Sequence, residues 1–299
     1  MSELPQGSHP SGHSSRRTAW TLPDAFEPNT QRPPGLLLAL IYGGVRDCRV
    51  LYVPRLADQL ELPMTRAPRA NGGATSQSAA RILILLDKLG TSPTVADAAV
   101  MPGCVKVIRA QSRLAKLDFW LRNPDYLADE LLNDLDAGLL APDVVLPLVH
   151  SMLDGDAPKL HMYPMRRYRF GAWEIPDNAL AVLKFYGMVN HRRAAEMDTQ
   201  SANRARRDYF LLPEGVTALT HIRSSVDQID WYDKQADAIA LLDAAATGAT
   251  ARKRQYEQRE YAETPIGTDI ASILDRTRER FDGAAAAYRW RPGTDKAGT

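Results

Sequence analysis

The chain has only two cysteines, Cys48 and Cys104, in 299 residues. Neither has a cysteine or histidine neighbour at the spacing of a zinc-ligand pair, and two thiols cannot form the framework of bridges that holds a small secreted domain together. The sequence therefore indicates neither a disulfide scaffold nor a zinc site. We expect two reduced, buried thiols in a cytoplasmic protein.

An excess of charge of either sign is also missing. Lysine and arginine total 37 against 36 aspartates and glutamates, which gives a formal net charge of +1. A protein whose affinity depends on the phosphate backbone more often has a basic excess, so this balance argues against a protein that binds DNA on its own. The hydrophobic fraction of 44% is that of a folded globular protein.

Long apolar stretches are absent as well. The longest apolar run, residues 35–42, is far shorter than the roughly 20 residues that cross a bilayer. It follows a polar, proline-rich segment and has no suitably placed cleavage site of small residues, so it does not predict a signal peptide. We expect a cytoplasmic protein with no membrane segment.

Sequence motifs of catalysis are missing too. The chain has no Gly-x4-Gly-Lys-Ser/Thr phosphate loop, no His-Glu-x2-His and no Gly-x-Ser-x-Gly. A nuclease-like pattern can be forced onto Pro176, Asp177 and Lys184, but these residues belong to a predicted helix. The histidines are scattered and have no evident serine, cysteine or acidic partner. We therefore predict a protein that is not an enzyme, with no catalytic residue, no metal and no cofactor.

A stretch past the middle of the chain has the pattern of a winged-helix module. Apolar residues at spacings of three and four predict a helix over residues 176–186, stopped by Gly187. Residues 188–189 and 208–212 resemble the two strands of a β-wing with a polar tip between them. Residues 213–215 then turn the chain into a further amphipathic helix. This order suits a binding module better than an enzyme.

The whole chain is predicted to be mostly α-helical with small β-wings, in two helical winged-helix-like domains. Residues 82–86 are continuously apolar, which predicts a core helix buried on more than one side. Whether the N-terminal domain is itself a winged helix stays open. The predicted parts are a disordered tail (1–34), an N-terminal helical domain (35–140), a linker (141–162), the winged-helix domain (163–230) and a C-terminal helical extension (231–299).

Aromatic and charged residues alternate in a block that spans two predicted helices. Asp118 and Arg122 are four residues apart and can pair on the surface of the first helix, so one interpretation is purely structural. In the functional interpretation the aromatic side chains belong to a face that a partner protein covers, because tryptophan and tyrosine are enriched among interface anchors. The candidate partner-binding residues of this block are Asp118, Phe119, Trp120, Arg122 and Tyr126.

Basic residues flank the tip of the predicted wing. Winged helices commonly place such residues against DNA phosphates. The alternative is a solvated hairpin, because the predicted recognition helix has Phe185, Tyr186 and a single lysine, Lys184, which suits burial or a protein partner better than a major groove. The candidate nucleic-acid-binding residues are Arg192, Arg193, Arg204, Arg206 and Arg207.

The chain resembles a known family in three short segments, residues 117–127 (LDFWLRNPDYL), 168–174 (YRFGAWE) and 181–189. These segments are similar to the middle components of bacterial three-component ABC-ATPase defence systems. This family includes the Lamassu-type systems, which pair an SMC-like ATPase with an effector nuclease. The resemblance implies a small accessory subunit of winged-helix domains that sits on the ATPase and holds or restrains the effector. It adds Tyr168 and Trp173 to the candidate partner-binding residues.

Two functional hypotheses of different classes follow. The first is a non-catalytic accessory subunit that bridges an SMC- or ABC-type ATPase and an effector nuclease in anti-phage defence, with double-stranded DNA as a further candidate partner in the complex. The second is a homodimeric winged-helix transcription regulator, with residues 180–186 in the major groove. A regulator binds duplex DNA alone with an affinity that falls steeply with salt, whereas the accessory subunit binds it weakly or not at all without its ATPase.

Overall fold

The computed structural model describes residues 72–154, 165–168, 171–172, 177–193 and 206–292, without the side chains of residues 72–74 and Tyr168. This part of the chain is mostly helical and has a small three-stranded antiparallel sheet, as predicted for the fold class. The predicted tail at residues 1–34 and the first 37 residues of the predicted N-terminal domain, 35–71, lie outside the described residues.

The elements alternate between long runs of helices and short strands. The helical elements are α1 (Gly72–Leu89), α2 (Val95–Val100), α3 (Gln111–Arg122), α4 (Pro124–Asp136), α5 (Pro142–Asp154), α6 (Asp177–Phe185), α7 (Pro213–Ser225), α8 (Gln228–Leu241), a 3-10 turn (Asp243–Ala246), α9 (Gly248–Glu257), α10 (Arg259–Glu263) and α11 (Leu274–Ala287). The strands are β1 (Lys106–Ile108), β2 (Arg167–Tyr168), β3 (Gly171–Ala172), β4 (Val189–Arg193) and β5 (Arg207–Leu211).

The three-stranded sheet has the order β1–β5–β4, and both pairings are antiparallel. Val189 lies opposite Leu211 in the β4–β5 pair. Successive side chains of a strand point to opposite faces. Tyr209 and Leu211 accordingly join the main hydrophobic core, whereas Phe210 packs with Val107 in a small second cluster on the other face. The central strand β5 is therefore covered on both of its faces.

The predicted sequence of helix, strand, strand and helix is present as α6, β4, β5 and α7. Gly187 follows α6 with a φ of 68°, a conformation that glycine adopts without a steric penalty. Gly215 lies in the first turn of α7, where an added Cβ would be 2.5 Å from the carbonyl oxygen of Met188 and 2.7 Å from Leu211 Cδ1. Only glycine allows α7 to start this close to the strand pair.

Helix α1 is the central helix of the core. The side chains of residues 82–86 are each at most 2% exposed, which confirms the prediction of a helix buried on more than one side. Helices α3, α6, α7 and α8 all contact it. It runs from Gly72 to Leu89.

A helix lies within the segment predicted to be a linker, residues 141–162. Helix α5 forms there because apolar side chains recur at spacings of three and four residues, and Val145, Leu146 and Val149 are 0% exposed. Pro147 lies inside this helix, where it costs one backbone hydrogen bond. Burial of the apolar stripe outweighs that cost. Residues 155–162 of the predicted linker lie outside the described part.

One hydrophobic core includes side chains from α1, from the helices α3 to α11 and from β5. The described residues of the predicted N-terminal domain, winged-helix domain and C-terminal extension all contribute to it. The predicted boundaries between these parts stay a prediction. Within the described residues, however, the three parts are packed together.

Acidic side chains of α4 are buried against basic side chains of the last helices. Asp129 and Glu130 are 1% exposed and Asp134 is 3% exposed. Arg254 of α9 donates hydrogen bonds of 2.8 Å to both Glu130 and Asp134, and Arg280 of α11 donates one of 2.5 Å to Asp129. Buried carboxylates without such partners would be strongly unfavourable. These ion pairs therefore hold α9 and α11 on α4.

We expect Arg254→Ala to lower the free energy of unfolding by about 3 kcal/mol, because it leaves two buried carboxylates without their partner. Urea denaturation monitored by circular dichroism measures this change. Arg259→Ala is the matched control, because Arg259 pairs with Glu263 and both side chains are mostly exposed. The control should leave the midpoint nearly unchanged. Equal losses in the two variants would contradict the structural role given to Arg254.

Candidate functional site

The aromatic side chains predicted to face a partner are buried within the chain. Phe119 and Trp120 are 0% exposed and Tyr126 is 1% exposed. The rings of Phe119 and Tyr126 meet edge to face at 5.0 Å, and the Tyr126 hydroxyl donates to the carbonyl of Ala271 at 2.8 Å. Helix α3 is contacted by α1, α4, α8 and α9. In this conformation these side chains form part of the core, which favours the structural interpretation, and their role in partner binding stays a prediction.

The two charged residues of the same block are buried as well. Asp118 and Arg122 are each 7% exposed. Asp118 accepts a hydrogen bond of 2.9 Å from Arg81 of α1, while the Arg122 guanidinium lies 3.8 Å away. Asp118 and Arg122, which were predicted to pair on the helix surface, are therefore buried. The shorter contact of Asp118 is with Arg81, and it joins α3 to α1.

Helix α6 presents a face without net charge. Phe185 is 67% exposed, and its ring contacts Tyr186 edge to face at 5.2 Å. The opposite side of α6 is buried through Ala179, Leu180 and Leu183. The exposed side of α6 carries one acidic side chain (Asp177), one basic side chain (Lys184) and the aromatic ring of Phe185. The exposed residues of the helix are Asp177, Asn178, Ala181, Lys184 and Phe185.

The ends of β4 and β5 far from the core are basic. Arg193 lies opposite Arg207, and Arg192 lies opposite Asp208. Residues 189–193 and 206–211 contain four arginines and one aspartate, a balance of +3. This end of the strand pair therefore carries a local excess of positive charge.

Arg206 differs from the other arginines of this strand pair. Its Nε and Nη2 donate to the two carboxylate oxygens of Asp208 at 2.9 Å each. Asp208 is 1% exposed and also accepts the backbone N–H of Ala110 at 3.0 Å. The charge of Arg206 therefore compensates a buried carboxylate inside the fold, which makes it a weaker candidate for a phosphate contact than predicted.

Three predicted site residues have no described side chain. Trp173 and Arg204 lie outside the described residues, and only the backbone of Tyr168 is described, in β2. Their proposed roles stay predictions.

A buried lysine that is not among the predicted site residues lies in an aromatic cluster. Lys116 of α3 is 1% exposed, and its Nζ lies 2.5 Å from the hydroxyl oxygen of Tyr261. That oxygen also accepts the backbone N–H of Ala172 at 2.7 Å. The Lys116 Nζ is 5.1 Å from the ring centroid of Tyr261 and 5.8 Å from that of Tyr256. In the sequence Lys116 is only a lysine beside an apolar stripe, so local spacing gives it no special role.

The environment of Lys116 favours its neutral form. Burial, followed by the positive charge of Arg252, lowers the pKa of this lysine from 10.5 to about 7. Burial raises the pKa of Tyr261, so the phenol keeps its proton in the same range. A lysine that changes its charge near neutral pH is a common property of functional sites.

A cleft of about 440 Å³ opens where α1 and α8 end. Arg113, 9% exposed, donates from Nε to the carbonyl of Ala245 at 2.9 Å and from Nη2 to the carbonyl of Leu89 at 3.0 Å. The last carbonyl groups of a helix have no hydrogen-bond donor within the helix. Arg113 donates to one of these carbonyl groups of α1, that of Leu89. The residues that line the cleft are Lys88, Leu89, Gly90, Arg113, Ala240, Leu241, Leu242, Asp243, Ala245 and Ala246. None of these lining residues is a histidine, a cysteine or a serine.

The described residues contain no group of three or more histidine, cysteine, aspartate or glutamate side chains placed to hold a metal ion. Cys104 is buried and has no disulfide partner there, and Cys48 is not described. None of the helices in that part of the chain is both long and apolar enough to cross a lipid bilayer. Comparison with protein families, with curated proteins and with solved structures finds no match to the chain.

We expect the stability of the protein to depend on the titration of Lys116. Its pKa is about 7 in the folded state against 10.5 ordinarily. Between these values the unfolded chain binds more protons, so the free energy of unfolding rises with pH, by up to about 1.4 kcal/mol per unit. Lys116→Met should remove this rise, because methionine does not titrate.

Urea denaturation at several pH values between about 7 and 9.5, below the usual range of tyrosine titration, measures the slope. Lys184→Met, at an exposed lysine of α6, is the control and should keep the wild-type slope. A slope that survives in Lys116→Met would show that another group causes it.

Proposed function

We propose that the protein is a non-catalytic accessory subunit in the cytoplasm, which links an SMC- or ABC-type ATPase to an effector nuclease in anti-phage defence. The observation that carries this proposal is the neutral, aromatic outer face of α6. ATP hydrolysis and any cleavage belong to the other subunits in this scheme. The first contact with a partner is thereby assigned to α6, and not to the buried aromatic residues of α3 and α4.

The order of the elements supports a winged-helix arrangement. In a winged helix the first strand pairs with the last, the last two strands form the wing, and the recognition helix directly precedes the wing. Here the sheet order is β1–β5–β4, and α6 directly precedes β4. Helix α1 precedes β1 and packs on both α6 and α7. In this arrangement α4, α5 and the β2–β3 pair are an insertion before the recognition helix.

The outer face of α6 suits a protein partner better than a major groove. A helix that reads bases needs polar side chains that reach the base edges. Phe185 stands there instead, two-thirds exposed beside Tyr186, and the charges of Asp177 and Lys184 cancel. Aromatic anchors surrounded by few charges are typical of the centre of protein interfaces.

We expect Phe185→Ser to weaken the complex with the ATPase by about 2 kcal/mol or more, as for an interface anchor, without a loss of stability. The tagged protein is co-expressed with its genomic neighbours, and the complex is measured by pull-down and size exclusion at moderate salt. Urea denaturation of the isolated variant checks that its fold is intact.

Leu139→Ser is the matched control for this experiment, because Leu139 is 65% exposed but lies in the α4–α5 connection. It should leave the complex unchanged. Undiminished recovery of the ATPase with Phe185→Ser would overturn the assignment of α6. A wild-type protein that elutes alone would overturn the accessory function itself.

The basic ends of β4 and β5 favour a second candidate function, the binding of duplex DNA. Residues 189–193 and 206–211 have a charge balance of +3, and a local positive charge of this kind suits contact with DNA phosphates. Such contacts position a protein on the backbone without reading sequence. DNA binding belongs either to the assembled complex or to an independent regulator. An independent regulator binds duplex DNA alone with an affinity that falls steeply with salt, whereas the accessory subunit binds it weakly or not at all without its ATPase.

We expect the combined change of Arg193→Gln and Arg207→Gln to reduce the slope of log affinity for duplex DNA against log salt by about 1.8, for two lost phosphate contacts. Fluorescence anisotropy with a labelled duplex of arbitrary sequence measures the slope. The control combines Lys253→Gln with Arg259→Gln, which removes the same two charges from an exposed surface elsewhere. If both double variants reduce the slope equally, net charge is responsible and the strand pair is not a DNA site.

A further inference from the structure

The ring of Tyr256 in α9 lies among cationic side chains from three elements. The guanidinium carbon of Arg252, one turn earlier in α9, is 5.3 Å from the ring centroid. The guanidinium carbon of Arg167 in β2 is 5.9 Å from the same centroid, and Lys116 Nζ of α3 is 5.8 Å away. The electron-rich face of an aromatic ring attracts such cations and brings them close together. We propose that Arg167 and Arg252, gathered by this ring, form a binding site for a phosphate group.

Two of these three cations are accessible to a ligand. Lys116 is 1% exposed, so it does not touch a molecule that binds from solvent. Arg252 is exposed, and Arg167 and Tyr256 are half-buried. Each guanidinium presents a planar fork of N–H donors whose spacing matches two oxygens of a phosphate group. The site therefore consists of two guanidinium groups beside one ring, at the surface between β2 and α9.

The acidic side chains of the neighbouring helices do not neutralise these two arginines. Each acidic residue of α9 and α10 pairs with another arginine instead. These pairs are Glu257 with Arg254 at 3.8 Å, Glu260 with Arg276 at 3.0 Å and Glu263 with Arg259 at 2.9 Å. Within the described residues, neither Arg167 nor Arg252 forms an ion pair with a carboxylate. Their charge is therefore available to an anion from outside the chain.

Arg167 is held in place by the loop that follows α10. Its Nη1 donates to the carbonyl of Thr264, and its backbone N–H donates to the carbonyl of Thr268 at 2.9 Å. The backbone N–H of Gly267 donates in turn to the carbonyl of Arg167 at 2.7 Å. The Nε of Arg167 is buried and has no hydrogen-bond partner, so the charge of this guanidinium is only partly compensated. A cation that is already fixed loses little conformational entropy when an anion binds.

A phosphate group fits this arrangement better than a carboxylate does. A phosphate monoester carries up to two negative charges and three terminal oxygens, so it can accept from both arginines at once. A carboxylate carries one charge and two oxygens, which one guanidinium alone can satisfy. Either a small phosphate monoester or the backbone of a nucleic acid supplies the same chemistry. The site is independent of the partner contact proposed for α6.

A titration of the isolated full-length protein with sodium phosphate tests the site. Sodium chloride keeps the ionic strength constant, and NMR follows the Nε–Hε resonances of isotope-labelled arginine. The resonances of Arg167 and Arg252 should shift with a saturable dependence on phosphate. Arg252→Gln should raise the Kd about tenfold, because it removes charge-assisted hydrogen bonds from an exposed position. Lys253→Gln is the matched control, since it removes an equal charge from the adjacent exposed residue, and it should change the Kd less than about twofold.

Equal weakening in the two variants would overturn the proposal, because general attraction to positive charge would then explain binding. Arginine resonances that shift in proportion to phosphate, without saturation, would overturn it as well. Two further probes separate the sources of the phosphate group. These probes are glycerol phosphate, which is a monoester, and a single-stranded DNA of about eight nucleotides without terminal phosphates, which contains only diesters. The probe that Arg252→Gln weakens and Lys253→Gln does not identifies the source, and a failure of both probes to distinguish the variants contradicts the site.

Discussion

The burial of acidic side chains on α4 is the constraint on which the rest of the described fold depends. Asp129 and Glu130 are almost completely shielded from water, and a carboxylate in that position is stable only with a well-placed cation. Arg254 and Arg280 supply these cations from α9 and α11. The last helices must therefore return to α4, and in doing so they cover the aromatic residues of α3. Residues of the predicted C-terminal extension, 231–299, are therefore part of the core.

These ion pairs also restrict how the helices can slide. Apolar side chains tolerate small shifts of one helix along another, because dispersion contacts have little directional preference. A guanidinium that bonds two carboxylates on successive turns, as Arg254 does with Glu130 and Asp134, fits one register. The internal pair of Arg81 and Asp118 does the same between α1 and α3. Charge in this protein determines the alignment of helices that hydrophobic contacts hold together.

The parts of the fold that the sequence predicts are those in which the cause is local. The α6–β4–β5–α7 unit follows from periodicity and from Gly187 and Gly215, which act on neighbouring residues. Burial of Trp120 could not be predicted in this way. Its block contains charges that suggest a surface, and Arg81, which makes the shorter contact with Asp118, lies 37 residues away in the chain. Lys116 was missed for the same reason.

Helix α5 lies in the segment predicted to be a linker. Its apolar stripe is buried, and the helix continues through Pro147. The predicted wing, in turn, has basic residues where expected, but Arg206 is committed to Asp208 by geometry that only the folded sheet reveals. Composition gives the charge of a segment, and the fold decides which of those charges face solvent.

The distance of 151 residues between Asp129 and Arg280 has a consequence for biosynthesis. At about 5 to 20 residues per second, a ribosome needs roughly 8 to 30 seconds to add the arginine after the aspartate has been made. During that time the acidic side of α4 has no permanent cover and stays in water. Final packing waits for the C-terminal helices to leave the ribosome, so a chain cut short before Arg280 exposes an unfinished core to proteases.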